Sequence, residues 1–408
     1  MATVVAGATS ITLDPNELNL RLIAEGGLTS GGAFLSRPTV GSATPFNLQL
    51  EYSINGGAGG KYAWNLGGIG LTYSPFLPNK GFPAPEITGG SLTSLVDSLN
   101  KGRGSIDIAG FAVPAATFWS QVKAGDNLGV LTSILAGSDT IVGANQRTDP
   151  NGETIGDHLY GYAGNDSIDA GAGFDILGGG PGNDSLNGGP DIDRAIYGGA
   201  ASTYKIATYA GTTGVIANPA TSTEGVDKLF GVEQILFSDQ TISPAGDNFS
   251  PLDYIASYAD LRAALGANAA AGFDHYLYGG ANEGRAVTFD GLEYIASYRD
   301  LITAFGANEA AGATHYIASG ANEGRTIKFD GLEYIASYGD LVRTLGVKAD
   351  AGTMHFIAHG AAEGRRVIFD PVAYELANPD VAAAFGADLD GATAHYITTG
   401  FFEVREIA

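Results

Sequence analysis

The 408-residue sequence contains no cysteine, which excludes disulfide bonds, thiolate zinc sites and cysteine nucleophiles. Charged residues make up only 16% of the chain, and the basic ones are the scarcest: 21 Lys and Arg stand against 44 Asp and Glu. The formal charge of −23 repels phosphate backbones and anionic lipids. Nucleic acid is therefore not expected as a partner, whereas divalent cations are.

Long hydrophobic runs are also missing. No run of about 18 apolar residues occurs, so membrane insertion is not expected. The first residues, MATVVAGATSITLDPNELNLRL, lack the basic start and the apolar stretch of a cleaved signal peptide. The chain is therefore expected either to stay in the cytoplasm or to leave by a route without such a signal.

Glycine, in contrast, is abundant, and the 61 glycines are about twice the average share. Residues 1–136 contain short alternating segments, such as 46–54 and 70–76, separated by Gly, Pro, Asn and Ser turns. Alternation with a period of two is typical of strands. The pattern predicts a mainly β, multidomain protein whose N-terminal domain, 1–136, is β-sandwich-like with one helix near 91–102.

Residues 137–199 repeat a nine-residue pattern. Its best copy, 179–187, reads GGPGNDSLN and matches the nonapeptide GGxGxDxUx of calcium-binding parallel β-helices. Glycine permits positive φ and exposes backbone carbonyls, the aspartate supplies a hard anionic oxygen, and the aliphatic residue begins an inward-facing strand. The spacing therefore predicts a parallel β-roll that holds Ca²⁺ between its turns, with two or three good sites.

Alternate repeats fall on the same side of such a roll. The expected neighbours are Asp157 with Asp175, Asp166 with Asp184, and Asp175 with Asp193. The pattern weakens at its ends, where Asp191 replaces a glycine and Asp139 belongs to a degenerate turn. The predicted metal-binding residues are Asp157, Gly161, Gly164, Asp166, Gly171, Gly173, Asp175, Gly180, Gly182, Asp184, Gly189, Asp191 and Asp193.

These nonapeptides resemble the RTX, or hemolysin-type calcium-binding, repeats of bacterial proteins exported by type I secretion. The resemblance is close over 137–199 and extends to the following segment GVEQILFSDQTIS. It implies a β-roll that is disordered at low cytoplasmic calcium and folds outside the cell, with an uncleaved C-terminal secretion signal. Residues 200–250 are predicted to form strands that cap the roll, because a repeated stack needs an atypical end.

From residue 251 to 408 the chain repeats every 40 residues, four times. Each unit carries two helical segments, such as 294–306, which ends on a glycine suited to a helix C-cap. The period predicts stacked α-helical hairpins, with four compact minidomains as the alternative. The pattern is similar to a repeat of bacterial surface and exopolysaccharide-associated proteins. The aligned residues include Tyr254, Tyr294, Tyr334 and Tyr374, His275, His315, His355 and His395, and Arg285, Arg325, Arg365 and Arg405.

Enzyme motifs are missing from the sequence. None of the six histidines precedes a glutamate, and neither GxSxG nor a P-loop occurs, so the protein is not expected to be an enzyme. The sequence predicts a secreted, calcium-binding, cell-surface structural or adhesive protein, such as an adhesin, matrix or S-layer-like component. It would assemble outside the cell by self-association or by binding surface polysaccharide. The alternatives are a lectin that uses the helical repeats, and a glycan-active enzyme with an accessory roll.

Overall fold

The computed structural model describes the strands at 3–6, 33–35, 46–53, 61–73 and 87–99, and then residues 105–124, 127–143, 156–244 and 246–407. The chain forms two compact units, 1–249 and 250–408. The first contains two mixed sheets rich in parallel pairs, and the second is helical. No helix in the described ranges is long and apolar enough to cross a membrane.

Six strands are described at the N-terminal side of the first unit: β1 (Thr3–Ala6), β2 (Ala33–Leu35), β3 (Phe46–Ser53), β4 (Lys61–Tyr73), β5 (Ile87–Leu99) and β6 (Ser105–Pro114). They pair antiparallel in the order β1-β6-β5-β4-β3-β2. The helix predicted near 91–102 is wrong. Its apolar residues have helical spacing, but β5 forms ladders with β4 and β6 on both sides, and this pairing overrides the local pattern.

The sandwich-like arrangement of 1–136 remains a prediction. Two helices follow β6, namely α1 (Ala115–Ala124) and α2 (Asn127–Ile134).

In residues 137–143 and 156–199, the nonapeptide segment forms six short strands: β7 (Thr140–Val142), β8 (His158–Tyr160), β9 (Ser167–Asp169), β10 (Ile176–Gly178), β11 (Ser185–Asn187) and β12 (Arg194–Ile196). Strands β7, β9 and β11 pair parallel in one sheet, and β8, β10 and β12 pair parallel in the other. The chain thus changes sheet at every strand. The middle residue of each strand, such as Leu177 or Leu186, is fully buried in a shared hydrophobic core.

Five further strands end this unit: β13 (Tyr204–Tyr209), β14 (Thr212–Ala217), β15 (Val226–Phe230), β16 (Gln234–Leu236) and β17 (Thr241–Ile242). Strand β15 adds in parallel to β11, and β16 adds in parallel to β12. The β13–β14 hairpin then pairs antiparallel with β15, and β17 pairs antiparallel with β16. Each parallel stack therefore ends in antiparallel strands.

The second unit contains four repeats that share three helices each, and the third and fourth repeats have an additional short helix at Ala361–Glu363 and Phe401–Glu403. The first helices are Pro251–Ser257, Gly291–Ala296, Gly331–Ala336 and Pro371–Ala377. The second helices are Ala259–Leu265, Arg299–Phe305, Gly339–Leu345 and Pro379–Phe385. The third helices are Ala269–His275, Glu309–His315, Ala349–His355 and Leu389–His395. Each third helix continues into a π-helical turn, at Tyr276–Gly280, Tyr316–Gly320, Phe356–Gly360 and Tyr396–Gly400.

The segment 294–306, predicted as a single helix, is broken at Ser297 and Tyr298. The backbone of Tyr298 is extended, with φ −138° and ψ 121°. The Oγ of Ser297 accepts hydrogen bonds from the N–H groups of Lys328 at 2.7 Å and Phe329 at 3.1 Å, which belong to the next linker. A contact distant in sequence therefore accompanies the break, and local periodicity does not reveal it.

A buried tyrosine and a histidine join the helices within each repeat. The hydroxyl of Tyr294 lies 2.9 Å from Nδ1 of His315, and the other three repeats have the same pair at 2.9–3.0 Å. Arg325 contacts Asp300 at 2.8 Å and Glu323 at 2.6 Å, again as in the other repeats. These aligned residues thus have structural partners inside their own repeat.

The fourth repeat differs from the others at its first helix. In each of the first three repeats, this helix packs against the third helix of the next repeat. Ala256, Ala296 and Ala336 are accordingly only 1–6% exposed. Leu376 occupies the equivalent position in the fourth repeat and is 79% exposed, and the neighbouring Val372 is also exposed. An apolar helical face is thus left open at this end of the stack.

Candidate metal centre

Two columns of carboxylates run along the nonapeptide segment, one beside each sheet. In the first column, the N–H of Asp139 donates to Oδ1 of Asp166 at 2.7 Å, that of Asp166 to Oδ1 of Asp184 at 2.8 Å, and that of Asp184 to Oδ1 of Asp227 at 2.9 Å. Each aspartate side chain therefore orients the backbone of the preceding coil on the same side. The Oδ1 atoms are held by backbone donors, as in a helix N-cap.

The second column has the same geometry. The N–H of Asp157 donates to Oδ1 of Asp175 at 2.6 Å, that of Asp175 to Oδ1 of Asp193 at 2.8 Å, and that of Asp193 to Oε2 of Glu233 at 2.9 Å. The aspartates expected to be neighbours from the nine-residue spacing are therefore neighbours within the two columns.

Sequence reasoning missed the last member of each column. Asp227 and Glu233 lie beyond the nonapeptides, because the β13–β14 hairpin interrupts the nine-residue count. A weaker signal was present, since each acid stands two residues before a buried aliphatic side chain, Leu229 or Ile235. The spacing acid-x-aliphatic is the one that Asp184 and Leu186 show.

Six of the seven predicted glycines, all except Gly161, adopt backbone conformations that other residues avoid. Gly171, Gly180 and Gly189 have φ of 93–101°, and Gly164, Gly173 and Gly182 have φ of 144–149°. Two side-chain-bearing residues occupy equivalent positions: Tyr162 with φ 68° and the exposed Asp191 with φ 94°. A positive φ costs a non-glycine residue about 1–3 kcal/mol, so these two turns carry local strain.

The turns also stack too closely to admit side chains. A Cβ atom at Gly182 would collide with the carbonyl oxygen of Gly164, and one at Gly180 would collide with that of Tyr162. A Cβ atom at Gly161 would meet Oδ2 of Asp166, the aspartate of the same turn. Glycine thus lets backbone carbonyls and a carboxylate oxygen approach one another within each turn.

Four of the column aspartates have one oxygen without a partner. Their Oδ1 atoms accept the backbone hydrogen bonds described above, but the Oδ2 atoms of Asp166, Asp175, Asp184 and Asp193 are buried and accept none. Burial raises the pKa of Asp166 and Asp175 to about 7, with neighbouring carboxylates adding to the effect. Burial likewise raises the pKa of Asp184 and Asp193 to about 6. A buried carboxylate without a partner is costly unless a proton or a cation compensates it.

The donors in these turns are of the kind that a hard cation takes, namely carboxylate and carbonyl oxygens. No group of three or more His, Cys, Asp or Glu side chains comes together as a metal cluster in the described ranges. An ion in the turns would therefore need backbone carbonyls in addition to one or two aspartates.

Comparisons with protein-family models, with curated proteins and with solved structures found no match to this chain. The resemblance to RTX repeats therefore rests on the sequence of residues 137–199.

Proposed function

We propose that the nonapeptide segment is a calcium-stabilised β-roll of the RTX type in a secreted cell-surface protein. One observation carries the proposal: the Oδ2 atoms of Asp166, Asp175, Asp184 and Asp193 are buried without hydrogen bonds, beside glycine-rich turns that stack closely on one another. Native proteins rarely bury a polar atom without a partner, and a bound cation would supply one for each of these oxygens.

The residues that would hold calcium are these four aspartates, Asp157, and the carbonyl groups of the turn glycines. The bound ion supplies positive charge that compensates the desolvated carboxylates. Asp191 is exposed and replaces a turn glycine, so it is the weakest of the predicted ligands. We expect two or three well-formed sites.

The rest of the chain supports a structural or adhesive role outside the cell. A charge of −23 keeps free chains apart, and calcium bound to the roll would reduce this repulsion. The helical repeats present a regular surface for self-association or for surface polysaccharide. Because the sequence contains neither HExxH nor GxSxG nor a P-loop, we place the protein among adhesin, matrix or S-layer-like components rather than enzymes.

The direct test is a calcium titration of the purified protein followed by circular dichroism and calorimetry, with magnesium as the matched control. Because an ion that binds only the folded roll stabilises it by mass action, calcium should increase the β-signal and the melting temperature. Magnesium should do so weakly, since it needs a smaller and more rigid site. Identical spectra and melting in chelator and in millimolar calcium would refute the proposal.

A further inference from the structure

The two sheets of the nonapeptide segment have different outer faces. In the sheet of β7, β9, β11 and β15, the residues that flank the buried middle position are polar in β9 and β11, namely Ser167, Asp169, Ser185 and Asn187, and apolar side chains occur only at Val142 and Phe230. In the sheet of β8, β10, β12 and β16, one row of flanking residues is Tyr160, Gly178, Ile196 and Leu236. The second sheet therefore has an apolar outer surface along this row, beside a more polar row of His158, Ile176, Arg194 and Gln234.

A cavity of about 320 Å³ opens on this apolar surface. The rings of Tyr160 and Tyr162 form one side, with centroids 6.4 Å apart and planes inclined by 49°. Gly178 forms part of the floor, since a Cβ atom there would lie 2.8 Å from Cδ1 of Tyr160. The glycine thus allows the Tyr160 ring to lie against the sheet.

Tyr162 has a backbone conformation that favours glycine. Its φ of 68° falls where the following three turns have Gly171, Gly180 and Gly189. A non-glycine residue in this region costs about 1–3 kcal/mol, and such strain concentrates at functional sites. The presence of Tyr162 in the cavity wall therefore destabilises its own turn.

A carboxylate, Glu224, completes the lining and is held in a fixed orientation. Its Oε1 accepts a hydrogen bond from the N–H of Gly198 at 3.2 Å, and its Oε2 accepts one from the hydroxyl of Tyr204. A carboxylate oxygen has two lone pairs, so each oxygen can accept a second hydrogen bond from a ligand. The cavity thus combines aromatic rings with a preorganised acceptor.

We propose that this cavity binds a sugar ring of a neutral polysaccharide. The apolar C–H face of a pyranose packs on tyrosine rings, while its hydroxyl groups donate to a carboxylate such as Glu224. Ligand pockets typically measure about 300–1,000 Å³, so this cavity lies at the small end of that range, as expected for a ligand no larger than a short oligosaccharide. The charge of −23 and the carboxylate itself disfavour anionic ligands.

This inference rests on the proposed function for the source of the ligand, which would be the polysaccharide of a cell surface. It assigns glycan recognition to the roll, whereas the sequence pattern pointed to the helical repeats. Tyr162, Gly180 and Pro181 all belong to turns of the roll, so the cavity should form only when these turns are folded.

The test compares the full-length protein with its Tyr162→Gly variant by calorimetry in calcium, using neutral oligosaccharides with axial and equatorial linkages. Glycine suits the φ of this turn, and the strain that it relieves offsets the lost packing of the Tyr162 ring against the core, so the variant should still fold. Circular dichroism and melting in calcium check this. We expect oligosaccharide binding to weaken at least tenfold in Tyr162→Gly. The matched control, Tyr278→Ala, removes a half-exposed tyrosine from the other unit and should leave binding unchanged.

Equal oligosaccharide binding by the wild type and by Tyr162→Gly would overturn the assignment, as would binding of none of the probes by the wild type. Two other probes test whether the cavity binds a different class of ligand. Preferential binding of choline would indicate an aromatic cation site, and preferential binding of a polyproline peptide would indicate a peptide groove; both would overturn the sugar assignment. Because circular dichroism reports the calcium response separately, loss of sugar binding and loss of calcium dependence are distinguishable results.

Discussion

Asp175 lies in the middle of the second column and contacts coils on both sides. Its Oδ1 accepts the N–H of Asp157, its own N–H donates to Asp193, and its Oδ2 is buried without a partner. Asp193 has the same arrangement between Asp175 and Glu233, but its own turn carries Asp191 in place of a glycine. A change of charge at Asp175 should therefore have the largest effect on calcium binding in this column.

Replacing Asp175 by asparagine retains an acceptor for the N–H of Asp157 but removes the charge. We expect calcium affinity to fall about tenfold or more, which corresponds to about 1.4 kcal/mol. The loss should exceed that in Asp157→Asn or Asp193→Asn, since those residues lie in the degenerate terminal repeats. In chelator the variant should be more stable than the wild type, because one desolvated carboxylate is gone.

Asp169→Asn is the matched control for this experiment. Asp169 is exposed and accepts a hydrogen bond from Nδ2 of Asn187 at 3.0 Å, outside the columns. Calorimetry should show unchanged calcium affinity in this variant. Equal losses at Asp157, Asp175 and Asp193 would contradict the expectation that the middle aspartate of the column matters most.

At the scale of the element, the raised aspartate pKa values make the stability of the calcium-free roll depend on pH. The pKa is about 6–7 for Asp166, Asp175, Asp184 and Asp193 in the folded roll, against 3.8 in an unconstrained chain. The folded state thus binds protons more tightly than the unfolded state. Its stability is greatest below about pH 4 and decreases as the pH rises through 6–7.

We therefore expect the roll in chelator to be less stable at pH 7.5 than at pH 5, and calcium to reverse this order because it needs ionised carboxylates. Hydrogen exchange with mass spectrometry, corrected for intrinsic rates, measures this on peptides from 156–199 alone. Exchange must be measured separately for these peptides, because burial also raises the pKa of Glu293 and Glu333 in the helical repeats to about 7 and makes the stability of that unit depend on pH as well. Protection of 156–199 that increases with pH in chelator would contradict the prediction.

The elements differ in how far the sequence could predict them. The nine-residue spacing was sufficient to place alternate aspartates side by side, since a fixed period in a regular coil determines which residues stack. It could not extend the columns to Asp227 and Glu233, because an inserted hairpin changes the spacing without changing the fold. The 40-residue period likewise indicated helical repeats, but the break at Ser297 depends on donors in the following linker.

At the scale of the whole molecule, the open helical face of the fourth repeat is the surface on which self-association is most simply tested. Val372 and Leu376 lie one helical turn apart there, and both are exposed. Introducing aspartate at Leu376 places a charge on this face without disturbing the repeat core. If the repeats mediate assembly, Leu376→Asp should reduce the calcium-induced increase in molecular mass several-fold, as measured by light scattering and sedimentation.

Met354→Asp is the matched control, since Met354 is also an exposed apolar residue but lies on a third helix. It should assemble like the wild type. A second comparison uses a chain that ends at Ser250, which should neither assemble nor bind cells in calcium. Assembly of that shortened chain to the same extent as the full-length protein would assign the contacts to the first unit instead.

The positions of Asp227 and Glu233 in the sequence also determine when the two carboxylate columns can be completed. Asp227 and Glu233 receive the backbone N–H groups of Asp184 and Asp193, yet they follow them by 43 and 40 residues in the chain. Because a polypeptide is synthesised from its amino end, neither column can be complete before residues 226–236 have been made. The addition of β15, which contains Asp227, and of β16, which directly follows Glu233, therefore completes both columns late in the chain.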